Sequence, residues 1–124
     1  MNFALWVVQA LLAIAFLMAG FQHGFQPLDN LANSIRWVSD VPPALVRFIG
    51  VSELLGGVGI VLPALSGVLP WLTPLAGVGL MAVMASASVF HVSRHEYSAA
   101  AMTGALFALA AFVAYGRWVL SPII

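Results

Sequence analysis

One acidic residue, Glu53, lies within residues 47–63, a stretch that is otherwise apolar apart from Arg47 and Ser52. An acidic side chain at membrane depth must pair with another group, stay protonated or face water. Arg47 is six residues away, about 120° around a helix and about 9 Å along it, so a salt bridge within one helix would be strained. We therefore expect Arg47 to extend toward the interface and Glu53 to find its partner on another helix.

Three polar residues with three- and four-residue spacing, Ser88, His91 and His95, indicate one helical face that descends toward the depth of Glu53. Histidine exchanges protons near neutral pH, so a column of this kind could pass protons or hold the polar head of a lipophilic ligand. We predict such a column with Glu53 at its deep end. The residues assigned to its ligand-binding site are Glu53, His91, Ser88, Arg47, Gln22 and His23, and the expected polar neighbours of Glu53 also include Ser86 and Thr103.

Two other interpretations of these residues stay open. Serine and threonine in membrane helices hydrogen-bond their own backbone or a neighbouring helix, so the polar residues could serve helix packing alone. Alternatively, His91 and His95 at i and i+4, joined by His23, could chelate a metal ion. The sequence contains no nucleotide motif, phosphate-binding glycine loop or metalloprotease pattern, so we do not expect the chain to be an enzyme by itself.

The elements that must position these residues are membrane-spanning helices. The 124 residues are 63% hydrophobic and 6% charged, whereas soluble domains carry about 25% charged residues. About 20 apolar residues cross the hydrocarbon core of a bilayer, so the chain accommodates four spans. The lack of cysteine excludes disulfides and thiolate chemistry in this polypeptide, and four scattered arginines do not form a patch for nucleic acid.

The sequence predicts an all-α integral membrane protein, an antiparallel bundle of four transmembrane helices in a single membrane domain of residues 1–124. The expected spans are residues 3–22, 44–62, 74–92 and 98–118, with a polar connection at residues 23–43. Apolar residues recur in this connection at three- and four-residue steps. The pattern indicates either a short interfacial helix anchored by Trp37 or an ordinary solvated loop.

Tryptophan and arginine positions give an expected orientation. Trp6, Trp71 and Trp118 fall at the membrane face that carries both termini, in accord with the preference of tryptophan for the interface. Three of the four arginines fall on the opposite face. Because cytoplasmic loops carry an excess of positive charge, we expect the connections at residues 23–43 and 93–97 to be cytoplasmic.

Several short stretches carry a resemblance to a known family. They are RFIGVSELLGG at residues 47–57, LPAL at 62–65, WLTPLAG at 71–77, FH at 90–91 and YGRW at 115–118. In these features, and over essentially its whole length, the chain resembles the DoxX and DoxX-like family of small bacterial four-helix membrane proteins. The resemblance implies a location in the bacterial inner membrane and a link to quinone-coupled redox chemistry, since the family takes its name from a subunit associated with thiosulfate oxidation by quinone. Other similar proteins are thought to scaffold oxidative-stress enzymes or to assist membrane-protein assembly.

The residues and the resemblance together leave three functions open. The first is an accessory subunit of a membrane redox system that binds a quinone or a similar lipophilic molecule, with Glu53 and His91 exchanging protons at its head group. The second is a non-enzymatic scaffold or assembly module whose polar residues only specify helix packing and whose segment 26–43 contacts a partner. The third is a proton-linked carrier, which requires a homo-oligomer because four helices rarely enclose a pathway. The expected partners are membrane lipids and a membrane or peripheral redox protein, and not nucleic acid.

Overall fold

A computed structural model describes residues 1–122, apart from the side chains of Ser34 and Arg36. Within that part, four helical segments are long and apolar enough to cross a membrane, and no residue forms a β-strand. The elements in chain order are helix α1 (Asn2–Phe25), helix α2 (Leu28–Ser34), a 3₁₀ helix (Arg36–Asp40), helix α3 (Pro43–Gly59), helix α4 (Leu62–Ser66), helix α5 (Leu72–Ser93), helix α6 (Tyr97–Tyr115) and a π-helical turn (Gly116–Leu120). The predicted all-α fold with four membrane-spanning helices is confirmed.

The second crossing is built from two helices rather than one, and proline explains the break. Helix α3 ends at Gly59, and α4 begins at Leu62 with Pro63 in its first turn. Proline has no backbone N–H to donate, so it fits a first helical turn, whose amides have no partner within the helix. The crossing as a whole runs from Pro43 to Ser66, four residues beyond the expected end at residue 62.

Helix α1 continues past the expected end of the first span. The span was expected to end at Gln22, but His23 and Gly24 also belong to the helix, which ends at Phe25. Gly24 packs against α3, where its neighbour across the interface is Gly50. The tertiary contact therefore carries the helix through a polar stretch and holds His23 on a regular helical backbone.

The close approach of α1 and α3 depends on glycine. A Cβ added to Gly50 would overlap the backbone of Gly24, and one added to Gly20 would lie 2.7 Å from the backbone nitrogen of Leu54. Small residues of this kind let membrane helices approach until their backbones touch. Gly50 and Gly57 are buried on the face of α3 that carries Glu53, so the expectation that the glycine face points into the bundle is confirmed.

The bundle core lies between all four crossings. Helix α1 packs along α3 and α5 packs along α6, and the two pairs meet in a buried apolar layer. Its buried members are Leu12, Ala13, Phe16, Ile60, Leu80, Met84, Ala110 and Val113. The outward faces of the helices carry large exposed apolar side chains, as expected for surfaces in contact with lipid.

The connection between α1 and α3 is helical, so the solvated-loop alternative is wrong. Leu31 of α2 and Val38 of the 3₁₀ helix are buried against Val46 of α3. Trp37, expected to anchor the segment in the interface, instead places its ring between those of His23 and Phe90. The segment thus folds over the end of the bundle where the polar residues of the predicted site are found.

Candidate functional site

A buried histidine–carboxylate pair is the centre of the candidate site. Glu53, in the middle of α3, is 4% exposed, and its Oε1 lies 2.6 Å from Nδ1 of His23 in α1. Two lone pairs would repel at this distance, so a proton must lie between the atoms, carried by the imidazole or by the carboxyl group. A neutral imidazole that donates to a carboxylate would leave one buried negative charge, whereas an imidazolium with a carboxylate, or an imidazole with a carboxylic acid, has no net charge, and burial in an apolar bundle favours a pair without net charge.

The structure corrects the expected partner of Glu53. Ser86, Ser88 and Thr103 were the expected nearest neighbours, with His23 and Gln22 of the first span assigned to the same site. The hydrogen bond is made to His23, because α1 and α3 are in backbone contact at this level. The serine and threonine candidates bond elsewhere: Ser88 Oγ lies 2.8 Å from Thr103 Oγ1, and Ser86 donates to the carbonyl of Ala82 at 2.9 Å. These bonds do not join Ser88 to Glu53, so the column through Ser88 from Glu53 to His91 stays a prediction.

Two further predicted site residues, Arg47 and Gln22, lie in different environments. Arg47 makes no salt bridge with Glu53 among the described residues; its Nη1 donates to the backbone carbonyl of His23 at 3.3 Å. It thereby covers the end of α1, where backbone carbonyls attract cations. Gln22 is exposed on the outer side of α1, away from the pair.

One ring nitrogen of His23 remains available. Nε2 of His23 makes no hydrogen bond with any residue in the described part of the chain, and the side chain is 13% exposed. The ring of Trp37 packs on His23 in a T-shaped contact, with 5.2 Å between centroids. A partly accessible nitrogen beside an aromatic wall suits a ligand that carries a hydrogen-bonding group on a flat apolar body.

A row of aromatic rings joins this pair to the other buried histidine. Beyond Trp37 the next ring is Phe90, at 6.2 Å, and Phe90 contacts His91 at 5.5 Å. His91 is 8% exposed, and its Nδ1 lies 2.9 Å from Oε1 of Glu96. This link was not predicted, because Trp37 was considered only as an anchor in the membrane interface, and apolar spacing does not reveal which rings a side chain contacts.

The structure does not give His91 and His95 the arrangement that the metal-binding alternative requires. It required His91 and His95 on one continuous helix, but α5 ends at Ser93, and His95 lies in the connection with a φ of 61°. The Nδ1 atom of His95 lies 2.9 Å from the hydroxyl oxygen of Tyr97. Among the described residues no group of three metal-ligating side chains comes together.

Charged residues tie the two polar connections together beside this site. Arg94 donates through Nη2 to Asp40 Oδ2 at 2.6 Å and through Nε to Glu96 Oε1 at 3.2 Å. The hydrogen bond from His91 lowers the pKa of the Glu96 carboxyl, and the positive charge of Arg94 adds to this effect. The hydrogen bond to Asp40 raises the pKa of Arg94. These bonds hold the connection between α5 and α6 against the 3₁₀ helix, to which Asp40 belongs.

The lowered pKa of Glu96 predicts an acid-sensitive connection. A carboxyl group with a lowered folded-state pKa stabilises the fold above its ordinary value of 4.5, and this contribution is lost as the pH falls through the folded-state pKa. We expect the free energy of unfolding in detergent to decrease below about pH 4.5, and Glu96→Gln to reduce that decrease. Equal acid sensitivity in the variant and the wild type would contradict the assignment.

A second buried polar cluster lies at the opposite end of the bundle. Arg117 donates through Nε to Gln9 Oε1 at 2.7 Å and through Nη1 to Asn2 Oδ1 at 2.7 Å. Gln9 in turn donates to the carbonyl of Ile60 at 2.6 Å. Arg117 entered the sequence-based predictions through orientation and the family resemblance, and Gln9 was not singled out, although an amide inside an apolar span is a signal of an internal polar contact.

Comparison with known proteins relates this chain to a family but does not identify a ligand. Searches of curated proteins and of solved structures found no significant match to the chain. The sequence model of the DoxX-like family matches residues 7–113, a range that includes both members of the buried pair, the ring row and the network around Arg94. With four membrane-spanning helices and this match over most of its length, the chain belongs to the DoxX-like family.

Proposed function

We propose that the protein is an accessory subunit of a bacterial inner-membrane redox system and binds the head group of a quinone or a similar lipophilic molecule at the His23–Glu53 pair. The observation that carries the proposal is the buried 2.6 Å contact of Glu53 with His23, whose second ring nitrogen is partly accessible and makes no hydrogen bond in the described part of the chain. Family membership supports a small membrane protein and leaves the ligand open.

The pair has the chemistry that a quinone carbonyl needs. A bound quinone would accept two electrons and two protons in being reduced to the quinol. His23 Nε2, when protonated, donates a hydrogen bond to a carbonyl oxygen, and Glu53 across the 2.6 Å contact holds the balancing negative charge. The ring of Trp37 offers a flat apolar surface for the head group.

The other predicted site residues have supporting positions in this proposal. Arg47 holds the backbone at His23, and His91 at the far end of the ring row exchanges protons with the cytoplasm through Glu96. Ser88 contributes by fixing α5 against α6 through its bond to Thr103. Electrons reach the ligand from a membrane or peripheral redox protein docked on the polar connections, which face the cytoplasm in this proposal.

Titration of a fluorescence-quenching quinone analogue into the purified protein tests the proposal. The wild type should bind it, and His23→Gln should weaken binding at least about tenfold, because a charge-assisted hydrogen bond contributes about 1.5–3 kcal/mol. Glu53→Gln should weaken binding as well, since His23 loses its counter-charge. Asp29→Asn, the same carboxyl-to-amide change on exposed α2, is the matched control and should leave binding unchanged. Absence of binding in the wild type, or equal binding in all variants, would overturn the proposal.

A second function, a non-enzymatic assembly module, is favoured by one observation. Ser88 and His91, both predicted ligand contacts, are hydrogen-bonded within the bundle to Thr103 and Glu96. Here the polar residues specify helix packing, and segment 26–43 contacts a partner protein. Photo-crosslinking from Asn30, which is exposed on α2, separates the two functions. Capture of one defined protein in native membranes, with no quinone bound to the purified chain, would favour the module.

A further inference from the structure

Arg117 carries a buried positive charge that no acidic side chain offsets. It is 3% exposed and makes no salt bridge in the described part of the chain. The four acidic residues of the sequence are Asp29, Asp40, Glu53 and Glu96, and all belong to the half of the bundle with the polar connections. Within residues 1–122 the hydrogen bonds of Arg117 go to neutral oxygens, those of Gln9, Asn2 and the backbone of Ser121.

The guanidinium group is held with one edge unsatisfied. Nε and Nη1 have acceptors, whereas Nη2 is buried and makes no hydrogen bond with the described residues. Gln9 cannot turn to relieve it, because its amide nitrogen is bonded to the carbonyl of Ile60. The ring of Trp6 lies 5.1 Å from Cζ and fixes the plane of the group. A buried donor on a cation without an acceptor is unfavourable unless a ligand provides one.

A second unsatisfied atom belongs to the same end of the bundle. Thr73 is fully buried in the first turn of α5, and its hydroxyl makes no hydrogen bond with the residues that the structure describes. One turn further along, Gly77 packs against Ala110 and Ala114 of α6. This register brings Thr73 to the level of Arg117, on the side of α5 that faces α6. The hydroxyl of Thr73 and Nη2 of Arg117 are therefore two buried donors at the same level of the bundle, and neither has an acceptor among the described residues.

We propose that Arg117 forms the centre of a binding site for a phosphate-type oxyanion, borne by a phospholipid headgroup or by free phosphate. Asn2 is exposed and occupies Nη1, so it marks the entrance. Displacement of its amide oxygen presents Nη1 and Nη2 side by side, the geometry in which arginine binds an oxyanion through two parallel hydrogen bonds. The tryptophans at this end, including Trp118, place the site at the level of lipid phosphates. This site is separate from the His23–Glu53 pair, and the proposal does not depend on it.

Thermal unfolding in a neutral detergent tests the proposal with three additives at constant ionic strength. These are inorganic phosphate, short-chain phosphatidylglycerol and short-chain diacylglycerol, which lacks the phosphate. The first or second should raise Tm by a few degrees at saturation and the third should not. A response to inorganic phosphate identifies a small-anion site, and a response to phosphatidylglycerol alone identifies a lipid headgroup site. Arg117→Gln should raise the additive concentration that gives half of the Tm increase by at least about tenfold, since it removes charge-assisted hydrogen bonds.

Two further variants keep the test decisive if Arg117→Gln does not fold. Asn2→Asp supplies a carboxylate in place of the amide oxygen, so it should raise Tm without additive and abolish the response to phosphate groups. Arg94→Gln removes an arginine that already has carboxylate partners and should keep the full response. The proposal is overturned if no phosphate compound raises Tm of the wild type, if Asn2→Asp responds like the wild type, or if Arg94→Gln abolishes the response.

Discussion

Replacing His23 with alanine is expected to lower the free energy of unfolding by about 3–5 kcal/mol, the effect of removing one partner from a buried charged pair. Glu53 is 4% exposed, and its hydrogen bond is made to His23. Without the imidazole the carboxyl group must stay protonated and lacks its partner. The measurement is equilibrium unfolding in mixed micelles, followed by the fluorescence of Trp37, whose ring contacts His23.

A double-mutant cycle separates the pair from general damage to α1. His23→Ala combined with Glu53→Gln should cost less than the sum of the single changes, with a coupling energy of about 0.5–3 kcal/mol. His95→Ala is the matched control, because His95 is exposed and its ring contacts the ring of Tyr97, and it should change stability by less than about 1 kcal/mol. Additive effects of His23 and Glu53 would contradict the pairing.

The second large effect is expected from Gly50→Ala, which should lower the free energy of unfolding by about 1–3 kcal/mol or more. The added methyl group would overlap the backbone of Gly24, and a backbone cannot move aside as a flexible side chain can. Helices α1 and α3 must then separate, and His23 must withdraw from Glu53. The variant should therefore also weaken binding at the pair, although it touches neither member.

Gly79→Ala provides the control for this prediction. No heavy atom lies within 4 Å of a Cβ added to Gly79, which is exposed on the outer face of α5. The free energy of unfolding of Gly79→Ala should equal or slightly exceed that of the wild type, since alanine favours helix more than glycine does. Equal destabilisation by both variants would show that helix propensity, and not the α1–α3 contact, decides the effect.

Hydropathy and proline positions were sufficient to predict the four crossings, because burial of the backbone in lipid leaves few alternatives to a helix. The inward direction of Glu53 also followed from local pattern, since Gly50 and Gly57 share its face. The hydrogen-bond partner of Glu53 did not follow from local pattern. Whether Glu53 meets His23 or a residue of α5 depends on which neighbouring helix comes closest, and that distance is set by Gly20 and Gly24 on α1.

The other errors have a similar origin. His23 was placed at the end of a span, but contact with Gly50 extends α1 to Phe25. His95 was placed on a helical face, but the tight connection to α6 ends α5 two residues earlier and puts His95 at positive φ. Helix ends are set by capping and tertiary contacts, which periodicity does not contain.

The central claim is that the His23–Glu53 pair holds a lipophilic ligand and does not merely join two helices. Solvent extraction of the purified protein, followed by mass spectrometry of the extract, tests it most directly. The wild type should yield a quinone or a related isoprenoid molecule in near-stoichiometric amount, Asp29→Asn should retain it, and folded Glu53→Gln should lose most of it. A wild-type extract that contains only bulk phospholipid, or the same molecule in equal amount from all three proteins, would contradict the account.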